Sequence, residues 1–326
     1  MPLFSKESLD ILRQRIDIVG VVSSHVDLKR SGASYKGICP FHDEKTPSFI
    51  IQRGDHHYHC FGCGAHGDAI QFLMNYLKMS FSDAVESLAE RFQVHLEYTE
   101  TKAESKWPSK ALMKQALEVA SRFYHFSLLH TPEGHAALKY LYGRGIDVDF
   151  IRHFQVGLAP ATPGILRKIV HEKSISDDVM VAAGLLSPRA SGGYRDFFLD
   201  RITFPIHHAT GAVIGFSARK YKEDTFGGKY VNTPETPLFK KSRVLFGLNY
   251  TRRQIAKERK VIVVEGQLDA LTLIHSGFNF TIAGQGTAFG EGHLQELIKL
   301  GINQAFLALD SDEAGFEAAS KIGNLF

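Results

Sequence analysis

Cysteine is scarce in this 326-residue chain: there are three, and all fall between Cys39 and Cys63. An odd count confined to one short stretch argues against a disulfide framework and leaves metal binding or chance. No apolar run approaches the roughly eighteen residues that cross a bilayer, so no membrane span is expected. The first ten residues hold Lys6, Glu7 and Asp10 and lack the apolar core of a signal peptide, so a cytoplasmic location is expected. There is no repeat of fixed period and no low-complexity tract. The Gly-x4-Gly-Lys-Ser/Thr loop of a P-loop motor is absent too. The net charge is only +3, too small to identify a partner by itself.

What is present is ordinary in bulk, with 44% hydrophobic and 22% charged residues. The length suggests two or three domains. The first is expected over residues 1–98. Leu9, Leu12 and Ile16 stand at helical spacing, and strand-like pieces follow at Ser48–Ile51 and His57–Cys60. Helices are expected over Asp68–Leu77 and Ser82–Phe92, the second striped by Phe81, Val85, Leu88 and Phe92 and capped by Ser80 or Ser82. Residues 99–110 are polar, contain Pro108 and lose periodicity, so they read as a linker. Residues 111–256 open with a helical stretch to His130 and turn to mixed segments broken by Gly and Pro.

Residues 257–326 alternate between strand and helix. Apolar strands are expected at Val261–Val264, Asn279–Ala283 and Gln304–Leu309. A glycine-rich turn over residues 284–288 follows the second, and a helix spans Glu291–Leu300. Such alternation with continuous apolar strands indicates a parallel sheet buried on both faces.

Every cysteine enters one pattern. Cys39-x2-His42 and Cys60-x2-Cys63 are two ligand pairs separated by seventeen residues. A two-residue gap turns both side chains of a pair toward one ion, and four N/S ligands complete the tetrahedron of a structural zinc site. His56, His57, His59 and His66 are close enough in sequence to stand in for His42. Four protein ligands leave no open position, so a structural role is expected.

Carboxylates gather at strand ends. Glu265 follows Val261–Val264 directly, Asp310 follows the third strand with Asp312 two residues on, and Asp269 lies four residues after Glu265. Functional groups of parallel α/β sheets collect at the carboxyl ends of strands. Acids crowded there suit Mg2+ or Mn2+, which would align a 3′-hydroxyl with a nucleotide phosphate. The same acids also fit helix caps and first-turn charges. Between Arg201 and Arg253 ten Lys/Arg face three Asp/Glu, a balance of +7; from Gln254 to Phe326 five basic residues face nine acidic, a balance of −4. A basic run beside an acidic one suits a grip on phosphates next to a cation site, or simply a solvated face.

Particular residues carry a resemblance. Cys39-Pro40-Phe41-His42, Glu44-Lys45-Thr46-Pro47-Ser48-Phe49, His59-Cys60-Phe61-Gly62-Cys63-Gly64 and Gly67-Asp68 resemble the zinc ribbon of bacterial DNA primases of the DnaG family. Glu265-Gly266-x2-Asp269 and Asp310-x-Asp312-x2-Gly315 resemble the two signatures of the Toprim fold, shared with some topoisomerases and nucleases. Arg201–Ile206, Gly215–Arg219 and Lys229–Thr236, with Arg144 upstream and Lys241 downstream, resemble the primase core before its Toprim domain. The chain has Gln267-Leu268 where the family has Tyr-Met, and Leu199 where a ridge arginine is expected.

The resemblance implies a multi-domain α/β protein: a small zinc ribbon, a mixed α/β catalytic subdomain, and a Rossmann-like parallel Toprim domain. It implies a nucleotidyltransferase that makes short RNA primers from ribonucleoside triphosphates on single-stranded DNA. Glu265, Asp310 and Asp312 would be the Mg2+ or Mn2+ residues, Asp269 would support them, and Glu265 would double as an acid/base. Arg144, Arg201, Arg219, Lys229, Asn232 and Lys241 would contact template, primer or nucleotide. In the ribbon, Lys36, Lys45, Arg53, Phe49 and Phe61 offer charge and stacking faces, or the two phenyl rings pack its core. The family has a further acidic pair beyond the equivalent of residue 326, so an incomplete Toprim domain is expected. The family's helicase-binding region lies further on still. A Toprim nuclease or topoisomerase, or a non-catalytic DNA-binding zinc module, are the alternatives.

Overall fold

The computed structural model describes residues 4–97, 107–285 and 289–325. The chain divides into two compact units, residues 1–103 and 104–326. Of the expected linker, residues 99–106 lie outside the described residues, as do 286–288 of the glycine-rich turn.

The first unit begins with helices α1 (Lys6–Arg15) and α2 (Ile18–Ser23). An antiparallel sheet follows in simple order: β1 (Lys29–Ser31), β2 (Ser34–Gly37), β3 (Phe49–Gln52), β4 (Tyr58–Cys60) and β5 (His66–Gly67). Helices α3 (Ala69–Tyr76) and α4 (Phe81–Arg91) close the unit. Both caps work through side chains that satisfy orphan amides. Asp68 accepts from Gln71 N–H at 2.8 Å, and Ser80 rather than Ser82 accepts from Asp83 N–H at 3.1 Å. Alternation along β3 and β4 sends Phe49, Ile51, Tyr58 and Cys60 into a core with Phe72, Val85 and Leu88. Phe49 stacks on Tyr58 with ring centroids 5.0 Å apart, so it is a core residue.

The second unit is built on α5 (Lys110–His130), capped by Ser109, with Met113, Ala116, Leu117, Ala120, Tyr124 and Leu128 on its buried stripe. Next come α6 (Gly134–Tyr142), α7 (Val148–His153), β6 (Gly157–Ala159), α8 (Ile165–His171) and α9 (Asp177–Ala182). A hairpin, β7 (Leu186–Pro188) and β8 (Tyr194–Asp196), leads to β9 (Arg201–His207), β10 (Val213–Arg219) and β11 (Tyr230–Asn232). These form an antiparallel sheet in the order β11-β10-β9-β6. Its two central strands are almost wholly buried, since Ile202, Phe204 and Ile206 enter one core and Phe216 and Ala218 another.

Helix α10 (Leu248–Glu258) runs across residue 256, where the sequence suggests a boundary. Its basic residues obscure the periodicity, yet Leu248, Thr251, Arg252 and Ile255 are buried. The remaining elements are β12 (Lys260–Val264), α11 (Gln267–His275), β13 (Thr281–Ala283), α12 (Glu291–Lys299), β14 (Gln304–Ala308) and α13 (Glu313–Gly323). The three strands are parallel in the order β13-β12-β14. Val264, Ala270, Leu271, Ile274 and Ala283 share one core with Phe150, Phe204 and Phe246, so this sheet and the preceding subdomain pack as one unit. Burial on both faces holds for β13 but not for β14, where Phe306 is 45% exposed. Strand β14 is an edge, and among the described residues nothing covers its outer face. No helix among the described residues is long and apolar enough to cross a membrane.

Candidate metal centres and nucleic-acid face

In the first unit, the turns before β3 and after β4 bring Cys39, His42, Cys60 and Cys63 together, with their ligand atoms within 4.8 Å of one another. Cys39 Sγ and Cys63 Sγ are 3.8 Å apart, and Cys60 Sγ and His42 Nδ1 are 3.9 Å apart. Zinc–sulfur bonds of about 2.3 Å give a tetrahedral edge of about 3.8 Å, so the donor set fits the ion. His56, His57, His59 and His66 are not in the group; His59 and His66 stand exposed, paired across β4 and β5.

The surroundings act on two of the thiols in opposite directions. Backbone N–H groups of Phe41 and Cys63 point at Cys39 Sγ and Cys60 Sγ, each at 3.4 Å. Burial pushes the Cys39 thiol up to about 12. Burial also opposes ionisation of Cys60, but Ser48 Oγ and the amides of Cys63 and Gly62 draw it down to about 6.

Sequence reasoning gave Glu44 no role, yet it organises the site. Its Oε1 accepts from Cys39 N–H at 2.7 Å and Ser48 N–H at 3.1 Å; its Oε2 accepts from Ser48 Oγ at 2.5 Å and lies 3.3 Å from His42 Nε2. A carboxylate on the far nitrogen of a metal-binding imidazole fixes its orientation and leaves Nδ1 for the metal. A Cβ at Gly62 would come within 2.6 Å of His42 Nε2, so only glycine fits there.

The sheet's other face is polar. Lys29, Lys36, Ile50, His59 and His66 stand in one row across the five strands. Phe61, 71% exposed, sits against His59 with centroids 4.4 Å apart.

In the second unit the carboxylates fall at the carboxyl edge of the parallel sheet. Glu265 follows β12, and its Oε1 accepts from the backbone N–H of Asp310, just beyond β14, at 3.3 Å. Asp312 caps α13 through Oδ1, which accepts from Gly315 N–H at 2.8 Å. Asp269 lies in the first turn of α11. All four carboxylates are exposed. Among the described residues only the cysteine–histidine group closes to within 4.8 Å, so the acids form an open set. Open oxygen donors still fit Mg2+, which keeps several waters and needs only one or two carboxylates.

The basic residues sort into two kinds. Arg219, 6% exposed, is clamped by Tyr140 and Tyr230: Nε donates to Tyr140 Oη at 2.7 Å and Nη1 to Tyr230 Oη at 2.5 Å. Arg144 also lies over the Tyr140 ring, 5.7 Å from its centroid, so two cations and two rings cluster in one stack. Arg144 and Lys229 are exposed. Arg201 differs from what the resemblance implies. It is 4% exposed, and its guanidinium donates to the carbonyls of Gly228 at 2.9 Å and Phe226 at 2.5 Å, so it faces a loop rather than solvent.

Asn232 is likewise turned inward. Its Nδ2 donates to the carbonyl of Gln285, just past β13, at 3.3 Å, and Gln267 Nε2 donates to Gln285 Oε1 at 2.8 Å. This chain of amides joins β11, which begins at Tyr230, to the edge where Glu265 stands. Lys241 contributes backbone: its carbonyl accepts from His293 Nε2 at 2.7 Å, tying α12 to the segment after β11.

Comparison with known proteins agrees with this arrangement. Three family models match in succession: a CHC2 zinc finger over residues 4–104, the N-terminal domain of the DNA primase catalytic core over 123–252, and a Toprim-like domain over 262–326. The DNA primase of Chlamydia pneumoniae is 52% identical over 326 residues, 99% of this chain and 54% of that protein. The crystal structure of the Aquifex aeolicus primase (zinc binding and RNA polymerase domains) aligns with TM-score 0.63 and 35% identity, covering 98% of this chain and 76% of that one. The RNA polymerase domain of Mycobacterium tuberculosis primase DnaG, solved with a double-stranded DNA oligomer bearing a 6-nucleotide overhang, aligns with TM-score 0.62 and 36% identity, covering 66% of this chain and 68% of that one. The chain spans about half the length of the curated relatives it matches. With a Cys3His zinc ribbon, a primase core and a parallel Toprim sheet in one order along one chain, this protein belongs to the bacterial DnaG-type DNA primase family.

Proposed function

We propose that the chain is a DNA-directed RNA polymerase of the primase kind, which makes short RNA primers on single-stranded DNA from ribonucleoside triphosphates. The observation that carries this reading is the amide chain Asn232–Gln285–Gln267. It joins the edge of the basic, aromatic stack to the carboxylate edge of the parallel sheet. Nucleotidyl transfer needs phosphate-binding cations and hard-metal carboxylates side by side.

On this reading Glu265, Asp310 and Asp312 hold Mg2+ or Mn2+, with Asp269 in support. The bound ions would supply Lewis-acid stabilisation of the α-phosphate and activation of the primer 3′-hydroxyl. Arg144 and Lys229 bind backbone phosphates, Arg219 holds Tyr140 and Tyr230 in place beside them, and Lys241 extends that grip. Asn232 and Arg201 act as positioning residues instead. The Cys3His site holds structural zinc, and the row from Lys29 to His66 beside Phe61 is suited to a single strand, with charge for phosphates and a ring for a base. Engagement of a replicative helicase is proposed for the family's carboxy-terminal region and not for these residues.

The test is incubation with a single-stranded template, labelled ribonucleoside triphosphates and Mn2+. Short RNA products that disappear in Glu265→Gln are the expected result. Nicked duplex DNA would point to a Toprim nuclease, and binding without products to a non-catalytic module.

A further inference from the structure

The connection between β10 and β11 contains the most exposed large apolar side chain among the described residues, Phe226, at 97%. A lone exposed phenyl is ordinary on a protein surface. The way this one is held is not. The loop closes through Lys220 N–H to the Lys229 carbonyl at 3.0 Å, directly beyond the last ladder pair, Arg219 and Tyr230. Asp200 then accepts from Tyr221 Oη at 2.9 Å, Lys222 Nζ at 2.8 Å and Thr225 Oγ1 at 3.4 Å. Asp200 itself adopts φ +50°, a conformation a non-glycine residue holds only when its surroundings impose it. Arg201 completes the anchor by gripping the carbonyls of Phe226 and Gly228.

Thus a buried arginine and a half-buried aspartate, adjacent in sequence, hold a long hairpin connection in one conformation. Neither contact covers the phenyl ring. The loop's chemistry indicates the partner. Between Arg219 and Tyr230 three basic residues, Lys220, Lys222 and Lys229, face two acidic ones, Glu223 and Asp224. At the loop's base stands the stack of Arg144, Tyr140, Arg219 and Tyr230. An exposed ring on a loop whose backbone is held, with fixed cations at the loop's base, matches a stacked base flanked by phosphates, and stacking accepts any base because each has a π-face.

We propose that Phe226 is a base-stacking finger for the single-stranded template, with Asp200 and Arg201 as the positioning residues that present it. This rests on the primase reading above. The shared chemistry is an unpaired nucleobase; the template is the assigned source, and a nucleoside triphosphate is the rival one.

The experiment measures binding of the full chain to a fluorescein-labelled oligothymidylate by anisotropy over a series of salt concentrations. Phe226→Ala is expected to weaken binding about tenfold, within the range for loss of one stacked base. The salt slope should stay the same, because a phenyl ring displaces no counterion. Phe226→Trp should bind as wild type does, whereas Phe226→Leu should resemble alanine. Arg201→Gln should weaken binding similarly, and the double variant Arg201→Gln/Phe226→Ala should be no weaker than either alone, as expected when both act through one contact. Circular dichroism melts confirm that each variant is folded.

If wild type itself fails to bind single strands, the primase reading fails. If wild type binds and Phe226→Ala binds equally well, only the finger is overturned. Leucine equal to wild type would overturn stacking in favour of a plain apolar contact. A defect seen only in nucleoside triphosphate affinity would overturn the template assignment.

Discussion

The backbone amide of Asp310 donates to Oε1 of Glu265 across 3.3 Å. Forty-five residues separate the two in sequence. They meet because β12 and β14 are hydrogen-bonded in parallel, with Val264 opposite Ala308, so both strands end on the same edge. Gly315 packs into the same corner: a Cβ there would fall 1.9 Å from the Asp310 carbonyl and 3.1 Å from Glu265 Oε1. The glycine of the second acidic signature is thus a requirement of close approach, and it keeps α13 and its cap Asp312 against the site.

Glu265→Gln and Asp310→Asn are expected to reduce primer synthesis by more than about 100-fold, since changes one shell further out already cost about 10–100-fold at metal sites. Template affinity should hold or rise, because removing negative charge near the phosphate path eases repulsion. Primer assays beside anisotropy titrations check both halves. Unchanged synthesis in both variants would remove these residues from the reaction.

In the ribbon, elemental analysis should find one zinc per chain, absent in Cys60→Ala. Glu44→Gln should keep the metal but lower its affinity by about 10–100-fold in competition with a chelator, because the glutamate orients His42 and two backbone amides. Folding of residues 107–325 should be insensitive to either change, as the chain divides into two compact units at residues 103 and 104. A Glu44→Gln protein with wild-type zinc affinity would show that the carboxylate does not support the ligand.

How much of this was readable beforehand depends on how local each signal is. The cysteine–histidine group is legible because Cys39, His42, Cys60 and Cys63 carry their own spacing, and α3 and α4 because Asp68 and Ser80 mark their starts. Glu265 and Asp310 were legible because strand–helix alternation tells where strands end. Roles that depend on what lies opposite were not. Phe49 and Phe61 look alike in sequence, but the first faces Tyr58 inside the core and the second faces water. Arg201 and Asn232 carry the residue types of nucleic-acid contacts, yet their partners are carbonyls at Phe226, Gly228 and Gln285. Helix α10 is hard to read in the sequence because a buried arginine, Arg252, interrupts its apolar stripe.

Burial gives one titration a clear sign. His207, at the end of β9 and edge-on to Tyr250, is pushed by burial down to about 4. The folded state therefore favours the neutral ring, while the unfolded chain takes up its proton near pH 6.5. Stability from this residue is fully present above pH 6.5 and is lost as pH falls from there toward about 4. Urea unfolding at stepped pH should show that decline in wild type and a shallower one in His207→Gln. Parallel curves for the two proteins would mean that His207 titrates alike in both states.

The two kinds of basic residue separate by salt. A cation that contacts a phosphate displaces counterions, so log affinity for a single strand falls with log salt, by about 0.7 per contact. Arg144 and Lys229 are exposed, one on the stack over Tyr140 and the other at the foot of the Phe226 loop. Arg144→Gln and Lys229→Gln should each flatten the slope by about 0.7 and weaken binding most at low salt. Arg201 carries the same charge but is buried against carbonyls. Arg201→Gln should therefore weaken binding at every salt concentration and leave the slope as it is. Three titrations of one oligonucleotide between low and moderate salt decide the matter. A flattened slope for Arg201→Gln would make it a direct phosphate contact after all, and unaltered slopes for Arg144→Gln and Lys229→Gln would reduce that basic face to solvated surface.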